Sequence, residues 1–460
     1  MPHFFHPDLL FLDGEFRSGC GLLAGDDGRI EAILTPDEAA SYATTRLKGK
    51  AILPGFANAH SHTFQRLIRG RSEHRGTSGD DFWSWRNAMY RAAEAVSAED
   101  VYDVARMTFL EMVTSGITTV GEFHYLHRAE SGAAYDDPNL LSRQIIAAAE
   151  SVGLRIALLR VAYTRAGHGL PPHPGQARFY ESAAEYLQNA AALAADLESK
   201  TGRAWLGVAP HSIRALPLDY LEEVVDWAKT RSLPIHMHAA EQVAELVACR
   251  AEYGATPVEL LAKRGLLSDK FVLVHAIHLT DPEFESLAAA HAIICSCPTT
   301  ERNLGDGILN AGRVAALGIR VAFGSDSQAQ IDPLEDAREL EYHLRLERQK
   351  RVILDQIDGR DLSARLFDYA TVGGAQALGF DGGQLAAGRP ADFFTVDLDH
   401  PSIAGASPDD LLPMVVFGLQ RAAIRDVAVA GKLILRDAEH AEGAAIIARY
   451  RQVYEKVWRK

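Results

Sequence analysis

The sequence predicts an α/β protein, a TIM-type (β/α)8 barrel carrying a small β-sandwich composed from the two ends of the chain. Three observations lead there. From Ala51 onward, short apolar runs alternate with longer amphipathic stretches, the pattern of βα units in a parallel sheet. Eight such runs can be counted, at 51–62, 118–125, 155–162, 205–211, 234–240, 271–278, 292–298 and 320–326, enough to close a barrel. Both ends read differently, as short strands broken by Asp-Gly and Gly-rich turns, which is the signature of antiparallel sheet.

Taken in order, strands at 9–12, 20–23 and 29–34 are separated by turns at Asp13-Gly14 and at 25–28. Helices are expected at 98–115, 178–199, 218–231, 256–264 and 281–291, each with apolar residues near helical spacing and a polar opposite face. After the last barrel strand comes another helix at 363–378, and turn-rich strand sequence returns through 393–396 and 427–435. The amino-terminal β layer is expected to pair with this carboxyl-terminal one. A terminal helix should present Ile446, Ile447, Tyr450, Val453 and Trp458 to the body. The organisation is therefore 1–50 with 380–440 as a composite β-sandwich, 51–379 as the barrel, and 441–460 as the closing helix. Two loops, 69–85 and 164–176, exceed what a barrel needs and are lid candidates.

Composition narrows the function. Of 460 residues, 47% are hydrophobic and 23% charged, an ordinary globular balance that excludes disorder and fibrous structure. Lys and Arg number 47 against 61 Asp and Glu, a net charge of −14. That is the wrong sign for a phosphate backbone, so no nucleic-acid partner is expected. No apolar run approaches the ~20 residues of a membrane span, and the first residues lack an export signal. A cytoplasmic enzyme with no membrane partner, commonly a homodimer, is the expectation. Cys20, Cys249, Cys295 and Cys297 fit neither a zinc ribbon nor a disulfide scaffold; Cys295 and Cys297 read as buried packing residues.

The histidines carry the chemistry. His60 and His62 end the first barrel strand, and period-two alternation points both to one side. His236, His238 and Glu241 follow the fifth strand, His275 and His278 the sixth, and Asp326 the eighth. Strand ends converge on one mouth of a barrel. Three imidazoles and a carboxylate there suit a divalent zinc or iron with one position open to water. The fourth strand ends in Val208-Ala-Pro-His211 without a lysine, so one ion is expected rather than a lysine-bridged pair.

The strand-end set Pro54-Gly-Phe-Ala-Asn-Ala-His60-Ser-His62, His238-Ala-Ala-Glu241, His275, Cys297-Pro-Thr-Thr and Gly324-Ser-Asp326 resembles the amidohydrolase superfamily, specifically its single-metal deaminase branch. The resemblance runs along nearly the whole chain. It implies that His60, His62, His238 and Asp326 hold one divalent metal, zinc first and iron second. It also implies that Glu241, His275 and Asp326 do the acid/base and polarising work. Phe64-Gln65-Arg66, the block from Phe82 to Tyr90, Glu122-Phe-His124-Tyr125-Leu-His127 and Pro210-His211-Ser-Ile-Arg214 further resemble the formimidoylglutamate deiminases of histidine degradation.

That closer likeness implies that Gln65, Arg86, Tyr125, His211 and Arg214 hold the glutamate part of a small anionic substrate. Such a substrate has two carboxylates, and arginine forks bind carboxylates through paired charge-assisted hydrogen bonds; Arg86 and Arg214 are placed to do so. Trp83 and Trp85 read as packing. The implied reaction is attack of metal-activated water on the formimidoyl carbon, giving N-formyl-L-glutamate and ammonia, with Glu241 and Asp326 moving protons and His275 positioning the nucleophile. Ser61, Ser325 and Ser327 read as structural hydroxyls. The competing readings are a deaminase of a purine, pterin or other aromatic amidine, which needs a flat slot rather than two arginines, and a non-catalytic barrel scaffold.

Overall fold

The structure, a computed structural model, describes residues 1–71, 73, 82–170, 173–198 and 202–459, with the backbone alone at 82–84. Five strands open the chain: β1 (His3–Leu12), β2 (Glu15–Arg17), β3 (Gly21–Ala24), β4 (Ile30–Leu34) and β5 (Ala43–Pro54). Eight barrel strands follow: β6 (Phe56–Ser61), β7 (Ile117–His124), β8 (Arg155–Ala162), β9 (Ala204–Pro210), β10 (Ile235–Ala239), β11 (Phe271–His275), β12 (Ile293–Ser296) and β13 (Arg320–Phe323). The chain then adds β14 (Phe393–Asp397), β15 (Ile424–Val429) and β16 (Lys432–Leu435).

Strands β6 to β13 form one eight-stranded sheet in sequential order, and each neighbouring pair is parallel. The first and last strands meet through the Asp326 N–H, which donates to His60 O at 3.0 Å, and the His62 N–H, which donates to Asp326 O at 3.0 Å. The sheet is therefore a closed barrel. Its strands are buried along nearly their whole length, because the barrel interior covers one face and the helices cover the other.

The strand expected at 51–62 divides at Gly55. Ala51 to Pro54 pair antiparallel with β14 in the composite sheet, whereas the barrel strand begins at Phe56. A side chain at Gly55 would overlap Thr118, so the chain can pass from one sheet to the other there only as glycine. The composite sheet runs β16-β15-β14-β5-β1-β3-β4, with β2 on β1, and thus joins both ends of the chain as the sequence suggests.

Helices fill the βα connections, among them Phe82–Ala95, Ala98–Val113, Leu140–Val152, Ala183–Glu198, Leu218–Lys229 and Pro333–Arg348. Local chemistry fixes several starts. Ser97 and Asp100 make a capping box, and the Asp332 carboxylate accepts from Leu334 N at 3.0 Å and Glu335 N at 3.3 Å. The helix expected at 178–199 begins only at Ala183, because 178–182 is committed to buried polar contacts described below.

The terminal helix Gly443–Trp458 packs through Ile446, Tyr450, Val453 and Val457, whereas Ile447 is exposed. The expected face was therefore misplaced at Ile447, and Val457 takes the buried position while Trp458 packs at the margin. Trp458 Nε1–H donates to Leu67 O at 2.9 Å and Tyr450 O–H to Arg66 O at 3.4 Å. The helix thus braces the 3-10 turn Thr63–Ile68 that follows β6.

At the opposite end of the barrel, the helical run from Leu362 to Ala377 includes a π turn at Tyr369–Gly373. Its end lies against the amino-terminal parts of the strands: His236 Nε2–H donates to Ala377 O at 2.9 Å and Trp205 Nε1–H to Leu378 O at 2.8 Å. A Cβ at Gly374 would overlap the Ala57 carbonyl oxygen. Gly374→Ala is therefore expected to cost about 1–3 kcal/mol of stability, read as a lower denaturant midpoint; an unchanged midpoint would show that this plug can shift without cost.

Candidate active site

The strand ends leave the barrel abruptly. Ala240 after β10, His275 and Ala276 at the end of β11, and Asp326 after β13 have φ values of 54°, 72°, 51° and 45°. Left-handed backbone at non-glycine residues costs on the order of 1–3 kcal/mol each and concentrates at functional sites. Here it re-aims side chains that would otherwise continue along the strands.

His60, His62, His238 and Asp326 are buried together, their ligating atoms within 4.8 Å of one another. His60 Nε2 lies 3.1 Å from His62 Nε2 and 3.3 Å from Asp326 Oδ1, and His62 Nε2 is 3.2 Å from that same oxygen. The tautomers follow from the surroundings. His62 Nδ1 donates to Phe123 O at 2.9 Å and His238 Nδ1 to His211 O at 3.1 Å. A carbonyl can only accept, so on both rings the hydrogen sits on Nδ1 and Nε2 presents a lone pair. Burial pushes the His60 imidazole down to about 3 and His238 well below its ordinary value. Three imidazole nitrogens and a carboxylate converging in this way fit a cation. The 3.1–3.3 Å separations among His60, His62 and Asp326 are those of donor atoms that share one ion at ~2.0–2.2 Å.

Glu241 and His275 border this cluster. His275 Nε2 stands 3.7 Å from Asp326 Oδ2 and 3.9 Å from Glu241 Oε1. On the other side of the ring, His275 Nδ1 lies 3.3 Å from Glu301 Oε1. Burial works against a charged imidazole, but the Glu241, Glu301 and Asp326 carboxylates raise His275 well above its ordinary value. Glu301 is itself held by the Cys297 N–H at 2.7 Å and the Ser296 hydroxyl at 3.2 Å. It was not read from the sequence, although it follows directly on the Cys297-Pro-Thr-Thr motif.

Above the cluster opens a small cavity. Gln65, Arg86, Tyr125, His211 and Arg214, the residues expected to hold substrate, all line it. Gln65 comes from the turn after β6, Arg86 from helix Phe82–Ala95, Tyr125 from the end of β7, and His211 and Arg214 from the segment after β9. Gln65 Nε2–H donates to the Tyr125 hydroxyl at 2.7 Å, and its buried Oε1 has no partner among the described residues. Arg214 donates to Glu241 Oε2 at 3.4 Å. Guanidinium groups and carboxylates thus share one cavity, with Arg214 paired to Glu241.

Other wall residues escaped the sequence reading. Met89, Tyr90, Tyr163, Phe179 and Leu304 line the cavity, and so does Trp85, which also packs on the core. Two of these had a signal: Arg86 and Tyr90 are one helical turn apart, and Tyr163 directly follows a barrel strand. Phe179 had none, since it sits between the 3-10 turn Pro174–Gln176 and the helix Ala183–Glu198. Trp83 has no described side chain, and of the two lid candidates residues 72, 74–81 and 171–172 lie outside the description.

Several singled-out residues stand apart from the cavity. His278 Nε2–H donates to Asp306 O at 2.9 Å, and His127 Nε2–H to Val161 O at 2.8 Å. Ser61 donates to Glu122 at 2.7 Å, Ser325 to Gln328 at 2.9 Å, and Ser327 shares a bond with Thr300 at 3.0 Å. Cys295 and Cys297 are buried free thiols.

Two variants test this geometry. His238→Ala is expected to lose most of its bound metal by elemental analysis while keeping its circular dichroism; full metal retention would remove His238 from the ligand set. Glu301→Gln is expected to keep metal and KM but lose about 10–100-fold in kcat, the usual cost of disturbing such a supporting contact. An unchanged kcat would reduce the His275–Glu301 contact to packing.

The Amidohydrolase family model matches residues 51–434. A formimidoylglutamate deiminase from Pseudomonas aeruginosa is 40% identical over 413 residues, covering 90% of each chain. A 5-methylthioadenosine/S-adenosylhomocysteine deaminase from Halobacterium salinarum is 28% identical over 438 residues, covering 94% of this chain and 91% of that one. Among solved structures, an amidohydrolase from Brucella melitensis superposes with a TM-score of 0.90 at 34% identity, covering 99% of both chains. A zinc-bound adenosine deaminase from Xanthomonas campestris shares the fold, with a TM-score of 0.84 at 23% identity over 100% of this chain and 99% of that one. The chain belongs to the amidohydrolase family and is a hydrolase acting on C–N bonds.

Proposed function

We propose that this protein is a formimidoylglutamate deiminase, hydrolysing N-formimidoyl-L-glutamate to N-formyl-L-glutamate and ammonia in histidine degradation. The observation that carries this reading is the charge layout of the cavity. Arg86 and Arg214 line the same cavity as Glu241 and the ligand Asp326, and Arg214 pairs with Glu241 at 3.4 Å. A linear molecule with a cationic amidine head and two carboxylates matches that layout. A purine ring has no use for two guanidinium groups.

One divalent ion, zinc by preference, would be held by His60, His62, His238 and Asp326, where it would supply Lewis acidity and lower the pKa of water. The remaining work falls to the chain. Asp326 Oδ2, near His275 Nε2, accepts a proton from the attacking water. Glu241, which shares the His275 imidazole at 3.9 Å, delivers a proton to the nitrogen that departs. Water adds to the formimidoyl carbon, and the proton held by Asp326 passes by way of Glu241 to the terminal nitrogen. The terminal C–N bond breaks as the added hydroxyl releases its proton to solvent to become the formyl carbonyl, with ammonia leaving. Gln65 Oε1, an acceptor without a partner among the described residues, suits a substrate N–H. The guanidinium groups fix the far end, so that the reacting carbon is presented in one orientation.

The substrate test is ammonia release by metal-loaded protein, with formimidoylglutamate, 5-methylthioadenosine, S-adenosylhomocysteine and adenosine assayed in parallel. Release from formimidoylglutamate alone is expected, and Arg214→Met should raise its KM about 10–100-fold with metal content unchanged, the loss of a charged hydrogen bond. Release from a nucleoside instead would discard the proposed substrate while leaving the hydrolytic chemistry in place.

A further inference from the structure

Three tyrosines and a glutamine form a hydrogen-bonded chain in the cavity wall. Gln176 is fully buried. Its Nε2 donates to the Tyr90 hydroxyl at 2.8 Å and to the Tyr163 hydroxyl at 2.5 Å, and its Oε1 accepts from the Tyr180 hydroxyl at 2.8 Å. The direction of the chain is set at its outer end. The His173 backbone N–H, which can only donate, reaches the Tyr180 oxygen at 3.1 Å, leaving the Tyr180 proton for Gln176 Oε1. The amide nitrogen of Gln176 then has both hydrogens for the two remaining phenols.

Accounting for those protons gives the consequence. The Tyr90 oxygen accepts from Gln176 and also from Arg86 Nε, and the Tyr163 oxygen accepts from Gln176. Neither hydroxyl donates to an acceptor among the described residues, and both line the cavity with Arg86 and Arg214. Burial raises both phenols above their ordinary values, so they keep their protons throughout the neutral range. A buried donor without an acceptor is costly, and the groups of the proposed substrate that can relieve it are its carboxylate oxygens.

Resting on the substrate proposed above, we infer that Tyr90 and Tyr163 are specificity residues that donate hydrogen bonds to a substrate carboxylate, and that Gln176 is the positioning residue that turns their protons into the cavity. The ligand class is a carboxylate, gripped jointly by two phenols and the neighbouring guanidinium groups. Arg178 supports the arrangement. Its guanidinium donates to Arg128 O at 2.8 Å, to Val96 O at 2.8 Å and to Ala93 O, tying the segment that carries Gln176 to the end of the helix that carries Arg86 and Tyr90.

The test compares Tyr90→Phe, Tyr163→Phe and Gln176→Glu with the parent, each on formimidoylglutamate and on an N-alkylformamidine without carboxylates. The phenylalanine variants keep the ring packing and remove only the hydroxyl. Each is expected to raise KM for formimidoylglutamate about tenfold with little change in kcat, and to leave the formamidine reaction as in the parent. Gln176→Glu offers both phenols an acceptor, so it should produce the same KM loss with the tyrosines untouched. Unchanged KM in both tyrosine variants, or equal losses on the two substrates, would overturn the assignment. A parent that releases ammonia from formimidoylglutamate while the variants match it sinks the phenol cradle alone; a parent inactive on that compound sinks the substrate reading and the cradle with it.

Discussion

Closure of the barrel is the constraint from which the site follows. The first and last barrel strands are not joined by a long ladder. They meet at the backbone bonds between Asp326 and the two residues His60 and His62, three of the four residues in the ligand cluster. The bonds that close the sheet therefore set the spacing of the ligand atoms. A shift of register by one residue at this seam would turn alternate side chains to the other face and would open the barrel and scatter the ligands together. Stability and chemistry are coupled at one seam, which explains how strained backbone at Asp326 is retained.

The second layer of the site works by fixing hydrogen positions. Backbone carbonyls of Phe123 and His211 each hold one imidazole by its Nδ1, and both carbonyls belong to barrel strands or their immediate continuations. Rigid main chain is better suited to this than a mobile side chain, since it sets both ring orientation and tautomer without further ordering. His60 Nδ1 has no partner among the described residues, and His275 is oriented by the Glu301 carboxylate. A carboxylate there adds charge as well as direction, which fits a ring that faces two acidic groups rather than a metal.

Much of this was legible in the sequence because of a geometric rule: residues at the carboxyl ends of parallel strands meet at one mouth, whatever their separation along the chain. That rule grouped His60, His62, His238, His275 and Asp326, but it also drew in His236 and His278, which the structure places against Ala377 O at the other end of the barrel and against Asp306 O. The rule fails where the chain changes sheets or leaves the strands. The division at Gly55 had a signal, the Pro54-Gly55 pair inside the strand reading, but it does not tell which of two sheets each part joins. The helix Phe82–Ala95 was not among the expected elements, and its first turn falls within the 69–85 loop reading. Gln176 and Glu301 act through contacts with distant residues, and a glutamine in a loop or a glutamate on a short helix carries no local mark of that.

The division between legible and hidden residues follows a division of labour. Hydrolytic groups sit on strand ends, where the barrel determines their positions to within the width of a hydrogen bond. The rest of the cavity wall is mixed: Tyr125, Tyr163, His211 and Arg214 continue barrel strands, whereas Arg86, Tyr90 and Phe179 sit on helix Phe82–Ala95 and on 174–181, held to each other by Arg178 and by the Gln176 network. A protein of net charge −14 repels anions at long range, so what Arg86 and Arg214 offer an anion acts at close quarters, where low dielectric makes each charge count for more. That places the burden on a few guanidinium and hydroxyl groups whose directions are fixed beforehand. The strand-end hydrolytic groups are set by the barrel, while part of the wall around them rests on a helix and a loop that can vary without disturbing the sheet.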